Sequence, residues 1–189
     1  MLMLEDLSAT VLDISENSTR AGATEVEVLI DEDQQKDMLT FSVKDNGKGM
    51  SPEFLAKVTD PFTTTRTTRR VGMGLPFLRE SAELCGGALD LQSEVGKGTT
   101  TTATFSLSCI DRPPLGDMAT TVMTLIMGAP LVHWKYTHII NGCEFTLDTD
   151  ELLEALEGDK SMLGTPEVGL WIRDSIRDEL AALRQKAEA

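Results

Sequence analysis

LDISENSTRAGA, residues 12–23, is the stretch on which the reading of this chain turns. It closes a helical pattern: Leu4, Leu7, Val11, Ile14 and Ser18 recur at the spacing of one helix face and predict a helix over 4–21. Gly22 stands where such a helix stops, since glycine enters the left-handed conformation without a Cβ penalty. TEVEVLI, 24–30, then alternates Val26, Val28 and Ile30 and predicts a half-buried strand. Opposite the apolar stripe, Asp13, Asn17 and Arg20 follow at i, i+4 and i+7 and stack on one face. Such a face can simply be solvated. Asparagine, however, is a middling helix former with no reason of propensity to sit mid-helix. A functional face accounts for it. The Asn17 amide oxygen is a hard neutral ligand suited to Mg²⁺ that also binds triphosphate oxygens. Arg20 can reach a phosphate, and Asp13 could hold and deprotonate a water.

Working outward, MLTFSVKD at 38–45 alternates through Leu39, Phe41 and Val43 and predicts a second strand, closed by Asp45. DNGKGM at 45–50 follows. Asp-Asn-Gly is a common turn, but an ionised carboxylate accepts only, so Asp45 suits the exocyclic amine of adenine and repels the guanine carbonyl. Gly47 and Gly49 would let backbone approach the base. Ser51 and Pro52 open a short helix to Val58, and Thr- and Gly-rich residues 59–74 read as a loop. Within it Arg66, Arg69 and Arg70 turn an acidic chain basic, as a solvated loop or as countercharge for a triphosphate. VGMGL at 71–75 places Gly72 and Gly74 before a helix from Pro76 to about Cys85, where their N–H groups would face phosphate. ALDLQSEV and TTTTATFSLS form a strand pair joined by GKGT at 96–99, either a plain hairpin turn or a loop whose Thr99 contacts the base. No GxxxxGK[ST] and no GxGxxG after a strand occurs, so P-loop and dinucleotide readings are unsupported. In their order and spacing the four motifs read as one adenine-nucleotide site.

DRPPLGD at 111–117 marks a boundary between a first domain, 1–110, and an extension, 111–189. Beyond it TTVMTLIMG and LVHWKYTHII read as strands, Asn141-Gly142 as a hairpin turn with CEFTLDT as its return, and DELLEALEG as a short helix. Thr165-Pro166 begins a final helix with Val168, Trp171, Ile172, Ile176, Leu180 and Leu183 on one stripe, serving an intramolecular core or a homodimer. With 41% hydrophobic and 25% charged residues in 189, a folded domain is expected. A net charge of −14 argues against nucleic acid as partner. The apolar stretch 122–132 is too short to span a bilayer and no secretory signal is visible, so no membrane association is expected. Cys85, Cys109 and Cys143 suit separate buried thiols in a cytoplasmic protein. His133 and His138, without acidic neighbours at metal spacing in the sequence, read as structural or surface residues.

Over residues 5–108 these motifs resemble the GHKL superfamily of gyrase, Hsp-type chaperones, histidine kinases and MutL-type repair proteins. ENSTRAGA resembles the N box, DNGKGM the G1 box, DPFTTTRTTRRVGMGL the F and G2 boxes, and GGALDLQSEVGKGTTTTATF the G3 region. The resemblance implies an α+β Bergerat fold, a mixed sheet covered on one face by helices, with ATP and Mg²⁺ as cofactors. By matching position it implies Asn17 on the metal, Asp45 on adenine and residues 63–74 as a lid. The other nucleotide contacts would be Arg20, Ala21, Gly47, Gly49, Met50, Thr64, Thr65, Arg66, Gly72, Met73, Gly74, Leu75 and Thr99. Family ATPases usually carry Glu where this chain has Asp13, one methylene shorter, so slow hydrolysis is expected. With the N box almost at the start of the sequence, neither a preceding phosphoacceptor domain nor a complete self-phosphorylating kinase is expected. Three readings remain: a cytoplasmic ATP–Mg²⁺ switch read by a protein partner, a split kinase phosphorylating a partner's His or Ser, and an interaction protein with a vestigial site.

Overall fold

A computed structural model of the chain describes residues 6–58 and 74–188. Helix α1 spans Leu7–Arg20, with Asp6 as its N-cap accepting from the Ala9 N–H at 2.7 Å. It ends as Gly22 predicts: Gly22 takes φ +79°, and the Ala23 N–H returns to the Ser18 carbonyl at 3.1 Å. The strands are β1 (Glu25–Asp33), β2 (Met38–Asp45), β3 (Ala88–Glu94), β4 (Gly98–Ser106), β5 (His133–Ile140) and β6 (Cys143–Asp148). The remaining helices are α2 (Pro52–Val58), α3 (Gly74–Leu84), α4 (Met118–Gly128), α5 (Thr149–Ala155) and α6 (Pro166–Glu188), with a 3₁₀ turn at Lys160–Gly164.

The six strands form one mixed sheet in the order β3-β4-β2-β1-β5-β6, antiparallel except where β5 runs parallel to β1. The fold is therefore α+β, with helices on one face. Alternation sets the register. Val26, Val28 and Ile30 of β1, Leu39, Phe41 and Val43 of β2, and Ala103 and Phe105 of β4 are all buried on that face. The opposite face carries cross-strand polar pairs, Ser42 with Thr102 at 3.1 Å and Lys44 with Glu27 at 2.8 Å. Sliding β1 by one residue would turn three core side chains into water, a loss of roughly 5–9 kcal/mol that rivals the stability of a whole domain.

Past residue 111 the chain continues this same sheet. The segment 120–128, expected as a strand, is instead most of helix α4. Its Thr and Val residues favour strands only where a pleated surface awaits them. Here Asp117 caps the helix, and Val122, Leu125 and Ile126, at helical spacing, are buried against α1 and α6. Asn141 and Gly142 take φ +50° and +83°, the double left-handed turn that Asn-Gly favours, and β6 returns along β5 as expected. In α6, Ile172, Ile176, Leu180 and Leu183 are consumed within the chain, whereas Trp171 leaves the stripe and is 58% exposed. The cysteines depart from expectation as well. Cys85 and Cys109, with Cα atoms 5.4 Å apart, are joined as a disulfide, and Cys143 alone is a free thiol. Strand pairing brings the two together: the Ser106 N–H donates to the Cys85 carbonyl at 2.9 Å.

Candidate functional site

The site is built where α1, the turn after β2 and the β3–β4 hairpin meet. Asp45 is the last residue of β2 and lies directly across from Thr99 of β4, so both side chains rise on the helix-covered face. Its carboxylate is held from two sides: Oδ2 accepts from Ser18 Oγ at 2.6 Å and Oδ1 from the Gly47 N–H at 2.8 Å. A carboxylate has about four lone-pair sites, so two remain for an incoming donor. Asp45 is half-buried and retains access to solvent.

The glycines of 45–50 serve chiefly to bring backbones together. A Cβ on Gly47 would stand 3.2 Å from the Ala21 Cβ and carbonyl oxygen and 3.0 Å from Asp45 Oδ1. The adjoining Lys48 N–H donates to the Ala21 carbonyl at 3.1 Å, so Ala21 docks the end of α1 on this turn. Gly49, at φ +65°, would put a Cβ 2.0 Å from the Glu94 carbonyl oxygen, and Gly98, at φ +106°, would put one 1.9 Å from the Asp45 carbonyl oxygen. The expectation that Gly47 and Gly49 clear room for a base is thus joined by a requirement internal to the chain. Ser93 completes the lacing: its Oγ accepts from the Met50 N–H at 2.9 Å, donates to the Gly98 carbonyl at 2.9 Å and lies 2.8 Å from Thr99 Oγ1. Asn46 anchors the other side. Its Oδ1 accepts from the Thr24 and Glu25 N–H groups at 2.8 and 3.0 Å.

Asp13, Asn17 and Arg20 share the exposed face of α1, as their spacing predicts. Arg20 donates to Glu16 Oε2 at 2.6 Å and to Asn17 Oδ1 at 3.1 Å, so its guanidinium covers the oxygen read as a metal ligand. Gly74 and Leu75 open α3, with nothing within 4 Å of a Cβ built on Gly74. Thr64, Thr65, Arg66, Gly72 and Met73, like Arg69, Arg70 and nearly all of the expected lid, lie outside the described residues. Sequence reasoning missed Ser18, placed on the apolar stripe, and Ser93, Glu16 and Asn46. The only signal for Ser18 is a hydroxyl on an otherwise apolar face.

The two histidines lie on β5, and both have acidic partners that the fold supplies. His133 Nε2 is 2.7 Å from Asp148 Oδ1 and 3.8 Å from Asp150 Oδ2, while Asp148 also caps α5 through the Asp150 N–H at 2.9 Å. Burial alone would push Asp148 up, but the His133 contact and the capping bond hold its carboxyl below the usual range. His138 is wholly buried between the Tyr136 hydroxyl at 2.7 Å and Glu32 Oε1 at 2.8 Å. The His138 hydrogen bond, aided by Arg184 and Arg112, lowers the Glu32 pKa against the effect of burial, and burial raises that of Tyr136.

The family model described as histidine kinase-, DNA gyrase B- and HSP90-like ATPase matches residues 4–108, more than half of the chain, and the chain belongs to this family. Among similar proteins are the sensor proteins SrrB of Staphylococcus aureus strains NCTC 8325 / PS 47 and COL. Each is 33% identical over 102 residues, covering 51% of this chain and 17% of the relative. The chain thus spans a small part of the length of the relatives it matches. Among solved structures, the N-terminal domain of a DNA repair protein aligns with TM-score 0.53 and 16% identity over 77% of this chain and 53% of that one, a likeness of fold. The Aquifex aeolicus MutL ATPase domain complexed with ADP aligns with TM-score 0.47 and 20% identity over 82% and 69%. Nucleotide binding is the property this family implies for the site.

Proposed function

We propose that the chain is an ATP–Mg²⁺-binding protein that acts as a nucleotide-dependent switch read by a protein partner. The observation that carries the reading is the Asp45 carboxylate, held by Ser18 and Gly47 with lone pairs to spare, opposite Thr99 and beside the end of the helix that bears Asn17. An acceptor fixed at both oxygens suits the exocyclic amine of adenine, because the orienting cost is met before the ligand arrives. The donor set also fits the cation. Asn17 would hold Mg²⁺ through Oδ1 once Arg20 leaves that oxygen for a phosphate. The cation would neutralise triphosphate charge there. Arg20 would then report occupancy, exchanging Asn17 and Glu16 for ligand. Asp13, exposed on the same face, would orient a water if hydrolysis occurs.

Calorimetric titration of the chain with ATP and Mg²⁺, followed by amide-exchange mapping, tests this reading. A switch should bind at or below millimolar nucleotide, lose most of that affinity as Asn17→Ala, and gain exchange protection both at residues 45–50 and outside the site. Binding with no change in protection beyond the contacting residues would leave a nucleotide site without a switch. Absence of binding would remove both.

A further inference from the structure

We propose that His133, Asp148 and Asp150 form a binding site for one divalent transition-metal ion of the zinc type. The set is scattered in sequence and assembled by strand pairing. His133 opens β5 and Asp148 closes β6, which returns antiparallel along β5, so the two meet at one end of the hairpin. Asp150 follows in the first turn of α5. One ligand atom from each residue lies within 4.8 Å of the other two, and among the described residues no other group of three His, Cys, Asp or Glu side chains does this. His133 Nε2 is 2.7 Å from Asp148 Oδ1 and 3.8 Å from Asp150 Oδ2. Tetrahedral zinc with nitrogen and oxygen ligands at about 2.0–2.2 Å holds its ligand atoms about 3.4 Å apart. On binding, the short contact would open and the long one close, each by less than about 1 Å.

An ion pair is the plainer account of the short contact, and Asp148 also caps α5 through the Asp150 N–H at 2.9 Å. That account leaves two features without a role. The first is Glu25, which lies across from His133 in the β1–β5 register, with Oε1 3.9 Å from the other ring nitrogen, Nδ1. A metal-bound imidazole nearly always has a carboxylate, carbonyl or water behind its second nitrogen, which fixes the tautomer and strengthens the ligand. The second is charge. Three carboxylates surround one imidazole, and although Lys135 lends positive charge to Asp148, they remain in excess even with His133 protonated. A dication reverses that imbalance. His133 and Asp148 are only 25% and 17% exposed, whereas Asp150 is open to solvent, so an ion has a way in and a fourth position for water. One imidazole with two carboxylates suits zinc and its neighbours better than Mg²⁺ or Ca²⁺, which prefer all-oxygen shells. The ion would tie the start of α5 to the end of the β5–β6 hairpin. None of these four residues is among the nucleotide contacts read above, and the test uses nucleotide-free protein, so neither outcome bears on ATP binding.

The full chain, freed of metal by a chelator, is titrated with Zn²⁺ by calorimetry and by NMR of the histidine ring nitrogens. Binding should be one to one in the micromolar range or tighter, and millimolar Mg²⁺ should not displace it. The chain has only two histidines, and the buried His138 serves as an internal reference: the His133 ring signals should move and those of His138 should not. Glu25→Gln should weaken binding about tenfold. Asp150→Ala, Asp148→Asn and His133→Gln should each weaken it more, and Asp148→Asn keeps a side chain able to cap α5. Cys143→Ser with Glu144→Gln, which removes the free thiol and a carboxylate elsewhere on β6, should leave affinity within about twofold, since neither supplies a ligand. Zn²⁺ should also raise the melting midpoint of the native chain but not that of Asp150→Ala, with circular dichroism establishing that every variant is folded. No binding at millimolar Zn²⁺, affinity unchanged in folded Asp150→Ala, or ring shifts at His138 and not at His133 would overturn the proposal.

Discussion

Replacing Asp45 by Asn tests the proposed recognition of adenine apart from the integrity of the fold. The native carboxylate accepts from the Gly47 N–H at 2.8 Å and from Ser18 Oγ at 2.6 Å. An amide fits only one way round: its oxygen must keep the Gly47 N–H, because NH₂ there would oppose a donor. Its NH₂ then faces Ser18, whose hydroxyl can turn to accept and still donate to the Ile14 carbonyl, already within 3.3 Å. The fold therefore loses one charge-assisted bond but leaves no buried group unpaired, at a cost of about 1 kcal/mol. The ligand fares worse. The acceptor offered to the adenine amine is weakened or replaced by a donor, costing about 1–3 kcal/mol, or roughly 5- to 150-fold in Kd. Calorimetry with ATP and with GTP reads both parts. ATP affinity should fall by that factor while GTP affinity holds or improves, since an amide can donate to the guanine carbonyl. Equal losses for the two nucleotides, or an unchanged ATP affinity in a folded variant, would refute the assignment of Asp45 as the base-reading group.

Two further outcomes follow from the same geometry. Gly98→Ala should destabilise the chain by about 3 kcal/mol or more, because the new Cβ falls 1.9 Å from the Asp45 carbonyl oxygen at φ +106°. Gly96→Ala, also left-handed at φ +80° but with nothing within 4 Å, should cost only about 1–2 kcal/mol; urea unfolding of the two variants checks the difference. Glu32 is held below its ordinary pKa by the buried His138. It therefore contributes stability that is fully present above its unfolded value of about 4.3 and is lost as pH falls through the lower folded value. Glu32→Gln should flatten the acid arm of stability against pH, and an unchanged arm would show that the pair is energetically idle.

Much of the architecture was readable in the linear chain because its signals are local. Two-residue alternation marked β1 and β2, Gly22 and Asn141-Gly142 marked a helix end and a hairpin, and i, i+4, i+7 spacing placed Asp13, Asn17 and Arg20 on one face. These follow from backbone periodicity and from the conformations that glycine and asparagine tolerate, and they need no partner to be present. The rest depended on what each segment meets. The segment 120–128 has the β-branched composition of a strand but became α4, since a helical stripe through Val122, Leu125 and Ile126 could be buried between α1 and α6. The sequence reading puts Trp171 on one stripe with Ile172 and Ile176, and only the packing of α6 shows that it is 58% exposed while they are buried. Ser18 and Ser93 are unremarkable letters until Asp45 and Thr99 arrive beside them from 27 and 6 residues away. The same holds for Cys85 with Cys109 and for His133 with Asp148, pairs made by strand registry. Periodicity is a property of the chain and can be read there, whereas a contact between distant residues exists only once packing has chosen one register out of many.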